Sequence, residues 1–227
     1  MSLVRIVEMS KIYNAKTLPV HAVKGISIEI ERGEFLALVG PSGSGKTSTL
    51  NIIGALDKAS EGLVEVDGKD ISQLTKKELS DLRRNKIGFI FQSFNLIPVL
   101  TAVENAEFTL SLQGVDRVKR REMALKALKE VGLEGLGDRR PFELSGGQQQ
   151  RVAIARAIAP QPDLILADEP TANLDSKTSM EILNLMKDLN ERKKATFIFS
   201  THDAQVMDTV TRVVQLKDGE IIGDKVK

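Results

Sequence analysis

Residues 35–47 read FLALVGPSGSGKT. Five consecutive apolar residues ending in a glycine-rich turn describe a strand buried on both faces, the kind found in a parallel sheet covered on each side. The turn matches the full phosphate-loop pattern and opens a helix, the strand–loop–helix context that gives the motif meaning. Glycines let backbone N–H groups surround phosphate oxygens, so Gly40, Pro41, Ser42, Gly43, Ser44, Gly45, Lys46, Thr47 and Ser48 form the expected binding loop. Lys46 would neutralise β and γ phosphates, and the Thr47 hydroxyl would ligate magnesium. Together these residues point to an α/β fold with a nucleotide at the sheet edge.

The rest of the chain fits that fold. KIGFIF (86–91), DLILA (163–167) and ATFIFS (195–200) are further apolar runs, separated in several places by helical stretches, as in a doubly wound parallel sheet. The first thirty residues instead alternate (Val4, Ile6; then Val23, Ile26, Ile28, Ile30), which predicts antiparallel strands with one solvated face. Thr101 with Glu104 reads as a capping box, and the periodic run from Arg117 to Val131 stops at Gly132. A single domain over 1–227 is expected, with an α/β core and antiparallel β-subdomain in 1–92 and 151–227 and an inserted helical subdomain in 93–150. Asp218 and Gly219 mark a C-terminal hairpin turn.

Composition narrows the function. The chain has 32 Lys plus Arg against 31 Asp plus Glu, too balanced for a nucleic-acid-coating surface, and 4% aromatics with no Trp argue against a single-strand stacking platform. Cys is absent, which removes disulfides and thiolate metal sites. No run of 18 apolar residues occurs, so a membrane-spanning or secreted chain is not expected.

Further motifs surround the phosphate loop. DLILADEP places Asp168 at a buried strand end, where it would hold magnesium, with Glu169 beside it to orient and deprotonate an attacking water. His202 follows another core strand and either faces the γ-phosphate or serves as a structural hydrogen bonder. Gln92 ends IGFIF and is either a ligand for magnesium and water or an ordinary polar strand end. Tyr13, the sole tyrosine, is read just after the first strand, where it either stacks on adenine or is a half-buried strand aromatic. ELSGGQQQRVAIARA (143–157) reads as a second anion site, a helix beginning behind glycines with free N–H groups and a positive dipole end. It lacks a lysine.

With these motifs in order, the chain resembles the nucleotide-binding subunits of ABC transporters over nearly its whole length. The resemblance rests on the phosphate loop, Gln92, LSGGQ at Leu144 to Gln148, Asp168 and Glu169, ANLD at Ala172 to Asp175, and His202. FIFQSFNLIPVLTAVEN and ELSGGQQQRVAIARA are similar to the branch serving macrolide export, lipoprotein release and cell division. The resemblance implies a P-loop NTPase core and an ATPase using ATP and Mg2+, with Glu169, His202, Gln92 and Lys46 as catalytic residues and Thr47, Gln92 and Asp168 as metal ligands. It further implies a head-to-tail homodimer in which Ser145, Gly146, Gly147, Gln148 and Asp175 complete the partner's nucleotide site. An integral membrane permease is implied as partner, with the chain peripheral on the cytoplasmic face. The groove beside Gln92, with Phe94, Leu96, Ile97 and Leu100, would receive a permease helix, unless those residues are subdomain core. GKTSTL stands where many relatives have GKSTLL, a conservative exchange of the magnesium hydroxyl. Two other readings are a soluble ABC ATPase acting on nucleic acid or ribosomes, opposed by the short single cassette, and an ATP sensor without turnover, opposed by Glu169.

Overall fold

The computed structural model describes residues 2–14 and 18–227. Ser2–Tyr13 (β1) and Val20–Glu31 (β2) pair antiparallel, and Phe35–Val39 (β3) starts a second sheet. Glu61–Val66 (β4) and Lys69–Asp70 (β5) complete the first, four-stranded sheet in the order β2-β1-β4-β5. The expected alternation along β1 breaks at Glu8, whose φ of 49° accompanies a register shift between Ile6 and Met9. Met9 and Lys11 are thereby buried along with Val4 and Ile6, and Leu3 is buried as well. Tyr13 is the last residue of β1 rather than a residue beyond it, because pairing with Val20 extends the ladder to that point.

The second sheet runs β10-β9-β3-β8-β7-β6, with Ile87–Phe91 (β6), Leu164–Asp168 (β7), Thr196–Thr201 (β8) and Arg212–Lys217 (β9) parallel to β3, and Glu220–Val226 (β10) antiparallel at the edge. Asp218 and Gly219 form the β9–β10 turn, both with positive φ. Burial explains why β3 reads as unbroken apolar sequence. Phe35, Ala37 and Val39 enter one core cluster, while Leu36 and Leu38 enter the other, so both faces are covered. The second cluster also holds the apolar residues of the four-stranded sheet and of the helix Lys46–Ile53 (α1).

Lys76–Lys86 (α2) precedes β6. Between β6 and β7 lie Ala102–Leu112 (α3), Arg117–Glu130 (α4), a 3-10 turn at Pro141–Glu143 and Gly146–Ile158 (α5). Thr101 and Glu104 form the capping box at the start of α3, with Thr101 N–H donating to Glu104 Oε2 at 2.8 Å and Glu104 N–H to Thr101 Oγ1 at 3.3 Å. Helix α5 runs unbroken through the expected division at 150/151. Its later residues Val152, Ile154 and Ala155 are fully buried in the main core, so the helix leaves the inserted segment without a break. Ser176–Lys193 (α6) and Ala204–Thr209 (α7) complete the chain's helices among the described residues, and none is long and apolar enough to cross a membrane.

Parallel pairing fixes where the site forms. Val39 lies opposite Thr201, Asp168 opposite Ser200, and Phe91 opposite Asp168, so the residues that follow β3, β6, β7 and β8 leave the sheet along one edge. Gly40 makes the exit from β3 possible. A Cβ there would lie 2.1 Å from Leu216 O and 2.7 Å from Ser44 Oγ. Gly40→Ala is thus expected to lower stability by about 2–4 kcal/mol in denaturant unfolding, since one contact is with backbone that cannot rotate away. A loss under about 0.5 kcal/mol would show that the loop accommodates a side chain.

Acid should act on the fold through its paired carboxylates. Arg212 donates to Asp224 at 2.9 and 2.7 Å, and these bonds hold the Asp224 carboxyl below its usual range despite partial burial. At Asp67 burial pushes the pKa up, but hydrogen bonds from Arg32 and Lys86 outweigh it and hold the group low. A folded pKa below the unfolded one adds stability that is complete above the unfolded value and disappears as pH falls through the folded value. Stability should therefore decline below about pH 4, and Asp224→Asn should lose less than the parent between about pH 6 and about pH 3. Equal losses would exclude Asp224 as a contributor.

Candidate active site

Helix α1 begins at Gly45, an N-cap with φ of 99° and no side-chain cap, so its first N–H groups face outward without an internal acceptor. Those groups, the helix dipole and the loop before them open on a cavity of about 530 Å³. The cavity is lined by Pro41 to Ser48 together with Gln92, Glu169 and His202, and by Val20, His21 and Ala22 of β2. Five separated stretches of sequence thus meet, four of them at the strand ends that the sequence predicted.

Lys46 is buried, and its Nζ donates to Gly40 O at 2.8 Å and Pro41 O at 2.9 Å, a cation held by neutral carbonyls at the mouth of an anion site. Ser44 Oγ is buried in the same loop and has no partner. Both features fit an incoming phosphate, which would give the lysine a charge partner and the hydroxyl an acceptor. Thr47 Oγ1 donates to Asp168 Oδ1 at 3.2 Å, joining the phosphate loop to the end of β7. A hydroxyl and a carboxylate this close are the hard oxygen donors that magnesium takes. Among the described residues no group of three or more acidic or His side chains forms a cation cage, so phosphate oxygens and water would supply the remaining ligands.

Glu169 is held from three sides. Its N–H donates to Ser200 O at 2.8 Å, its Oε2 accepts from Thr201 Oγ1 at 3.2 Å, and its Oε1 lies 2.7 Å from His202 Nδ1. Its φ of 45° is uncommon for a residue with a side chain and is sustained by these contacts. The Glu169 side chain is 17% exposed and the His202 side chain 71% exposed, so the acid is the sheltered member of the pair. A neutral imidazole donating through Nδ1 leaves Nε2 as an acceptor. Gln92 exposes its side chain to the cavity, while its carbonyl accepts from Asn173 Nδ2 at 2.9 Å.

LSGGQ lies elsewhere. Ser145 is the N-cap of α5, and Gly146 and Gly147 are its first two residues, which corrects the expectation of a helix starting behind the glycines. Ser145 N–H donates to Gln148 Oε1 at 2.9 Å and Gln148 N–H to Ser145 Oγ at 3.3 Å. This capping box satisfies two of the orphan donors, and helix geometry leaves the Gly146 and Gly147 N–H groups without an acceptor in the preceding turn. At Gly147 a Cβ would come 2.6 Å from Thr178 Cγ2, so glycine permits close approach of α6. Ser145 to Gln148 line a separate cavity of about 370 Å³ with Asn173, Leu174, Asp175 and Thr178. Asp175 caps α6, accepting from Lys177 N and Thr178 N, and the Thr178 hydroxyl bond holds its carboxyl below the usual range.

Tyr13 lies near the loop by its hydroxyl, whose oxygen is 3.3 Å from Ser48 Oγ. A third cavity, about 540 Å³, lies between the core and the inserted helices. Of the four residues expected there only Ile97 lines it. Leu96 packs on the main core, and the apolar lining comes instead from Leu56, Phe89, Phe91, Phe108 and Leu112, with Arg83, Arg84 and Arg156 at the rim. Sequence reading gave no role to Arg156, Asn173, Thr201 or His21. Asn173 sits inside the quoted ANLD and Thr201 beside His202, so adjacency to motifs was the available signal. Arg156 also lies inside a quoted stretch, ELSGGQQQRVAIARA, but its role of donating to the Phe94 and Asn95 carbonyls stayed hidden because those partners are some sixty residues away.

A family model described as ABC transporter matches residues 23–172. An uncharacterized ABC transporter ATP-binding protein of Thermotoga maritima is 46% identical over 218 residues, covering 96% of this chain and 93% of its own. The macrolide export ATP-binding/permease protein MacB of Mannheimia succiniciproducens is 44% identical over all of this chain, which spans only 35% of that longer protein. Among solved structures, the dimeric post-hydrolysis state of the ATP-binding cassette MJ0796 bound to ADP and phosphate aligns with a TM-score of 0.90 at 46% identity, covering 98% of both chains. The chain belongs to the ABC transporter family, as its ATP-binding and ATP-hydrolysing component.

Proposed function

We propose that two copies of this chain close head to tail around two ATP molecules and drive a membrane permease of the macrolide-export or lipoprotein-release type. One observation supports this reading above the others: Ser145, Gly146 and Gly147 open on a cavity of their own, away from Lys46 and Glu169 of the same chain. A lysine-free helix terminus with unused N–H groups suits an anion whose main charge partner lies elsewhere. Across a two-fold axis that anion is the γ-phosphate held by the partner's phosphate loop. The dimeric MJ0796 structures accord with such pairing.

Within each site Lys46 leaves the Gly40 and Pro41 carbonyls for phosphate oxygens, and Tyr13 stacks on adenine. Thr47, Asp168 and Gln92 would hold magnesium, which when bound neutralises charge on the phosphates. Glu169 takes the proton of the attacking water, fixed in direction by Thr201 and His202. Loss of the γ-phosphate contact loosens the dimer, and the inserted helices move against the core through the segment after Gln92. The groove of Phe89, Phe91, Phe108 and Leu112 then receives the permease, a role consistent with a relative whose name joins ATP-binding and permease in one polypeptide.

Glu169→Gln should keep ATP binding, reduce turnover about a hundredfold or more, and yield an ATP-dependent dimer on size exclusion. A variant that stays monomeric at saturating ATP would contradict the closed pair. Ser145→Arg should leave nucleotide affinity of the monomer within about twofold, despite a loss of about 1 kcal/mol from the α5 cap, and block hydrolysis. Collapse of monomer affinity would mean that the loop serves its own chain.

A further inference from the structure

Two lysines are buried among the described residues, Lys46 in the phosphate loop and Lys11 in β1. Burying an ammonium is unfavourable unless its donors are met, and Lys11 is met on every side. Its Nζ lies 2.6 Å from Asp57 Oδ1 and 2.8 Å from Lys58 O, and sits 4.7 Å from the centroid of the Tyr13 ring. Asp57, in the loop after α1, uses its other oxygen to accept the Tyr13 hydroxyl at 2.9 Å. That hydroxyl also reaches Ser48 in the first turn of α1. Burial pushes the Asp57 carboxyl up, but the bonds from Lys11, the Lys58 N–H and Tyr13 hold it low, so it is an anion when it binds both.

The phenol is therefore fixed at its tip and faced on one side by a cation, so a ligand that stacks on it would take the other side. A cation behind a ring draws π density away from the front, and this reduces the repulsion that disfavours face-to-face stacking of two electron-rich rings. We propose that Lys11 and Asp57 are positioning residues that hold Tyr13 as a one-faced stacking platform for a purine base, tied through Ser48 to the phosphate loop. The proposal rests on the reading of Tyr13 as the adenine contact given above and adds what orients it.

Tyr13 is the only tyrosine and Trp is absent, so intrinsic emission reports this one ring. The test compares the full chain with Asp57→Asn and Lys11→Met, titrated with magnesium ADP and with inorganic pyrophosphate, alongside steady-state ATP hydrolysis. ADP should quench the parent's emission and pyrophosphate should not. Both variants should bind pyrophosphate within about twofold of the parent, which also shows an intact fold, while ADP affinity falls about fivefold to tenfold and KM for ATP rises more than kcat changes. If ADP binds the parent without quenching, the base does not lie on Tyr13, and both the stacking reading and the proposal fall. If the parent is quenched and the variants behave identically to it, the stacking reading stands and the clamp is overturned. A parallel loss of pyrophosphate affinity would make the cluster a support of the phosphate loop and would also overturn it.

Discussion

The unsatisfied N–H groups at the start of α1 are the interaction on which the molecule turns. Nothing in the helix can accept from them, Gly45 brings no capping side chain, and Lys46 beside them rests on two carbonyls instead of an anion. An ordinary helix start is closed by its own residues, as α3 is by Thr101 and Glu104. Here the closure is left to a ligand. The surrounding fold serves that arrangement: a strand buried on both faces leads into a glycine where a Cβ would press on the Leu216 carbonyl, and the turn delivers α1 with its N-terminus exposed.

The second helix terminus, α5, is built on the opposite plan. Ser145 and Gln148 close part of it, no lysine accompanies it, and its cavity is shared with the start of α6. The two termini cannot serve one phosphate within a chain whose cavities are separate, and the symmetric pair proposed above would resolve this by giving each phosphate one terminus from each copy. Glu169 belongs to the first terminus, sheltered and oriented by Ser200, Thr201 and His202. Gln92 stands between site and groove, since its carbonyl is bound by Asn173 and the residues after it by Arg156. The strand ends are thereby joined by short bonds to the segment that leads into the inserted helices.

Much of this was legible in the residues themselves. FLALV and the LILA of DLILA announce two-sided burial because each of these residues enters one core or the other, whichever way it points. Caps and turns at Thr101 and Asp218 were readable because their chemistry is local. What stayed hidden depends on distance in sequence or on one backbone angle. The bulge at Glu8 displaced the expected alternation of β1, and α5 passes through the expected boundary because its apolar stripe serves the core while its glycines serve the site. Of the four apolar residues read beside Gln92 only Ile97 lines the cavity between the core and the inserted helices, where Phe108 and Leu112 enter from a helix that local pattern could not orient.

The most direct test is mixing two silent variants, one with Lys46→Ala in the phosphate loop and the other with Ser145→Arg at the start of α5. If each site takes its halves from different chains, a mixed dimer contains one intact site, and an equal mixture should regain about a quarter of the unmodified ATPase rate, because half the dimers are mixed and each has one working site of two. A mixture that forms dimers and remains as inactive as its components would contradict the shared site.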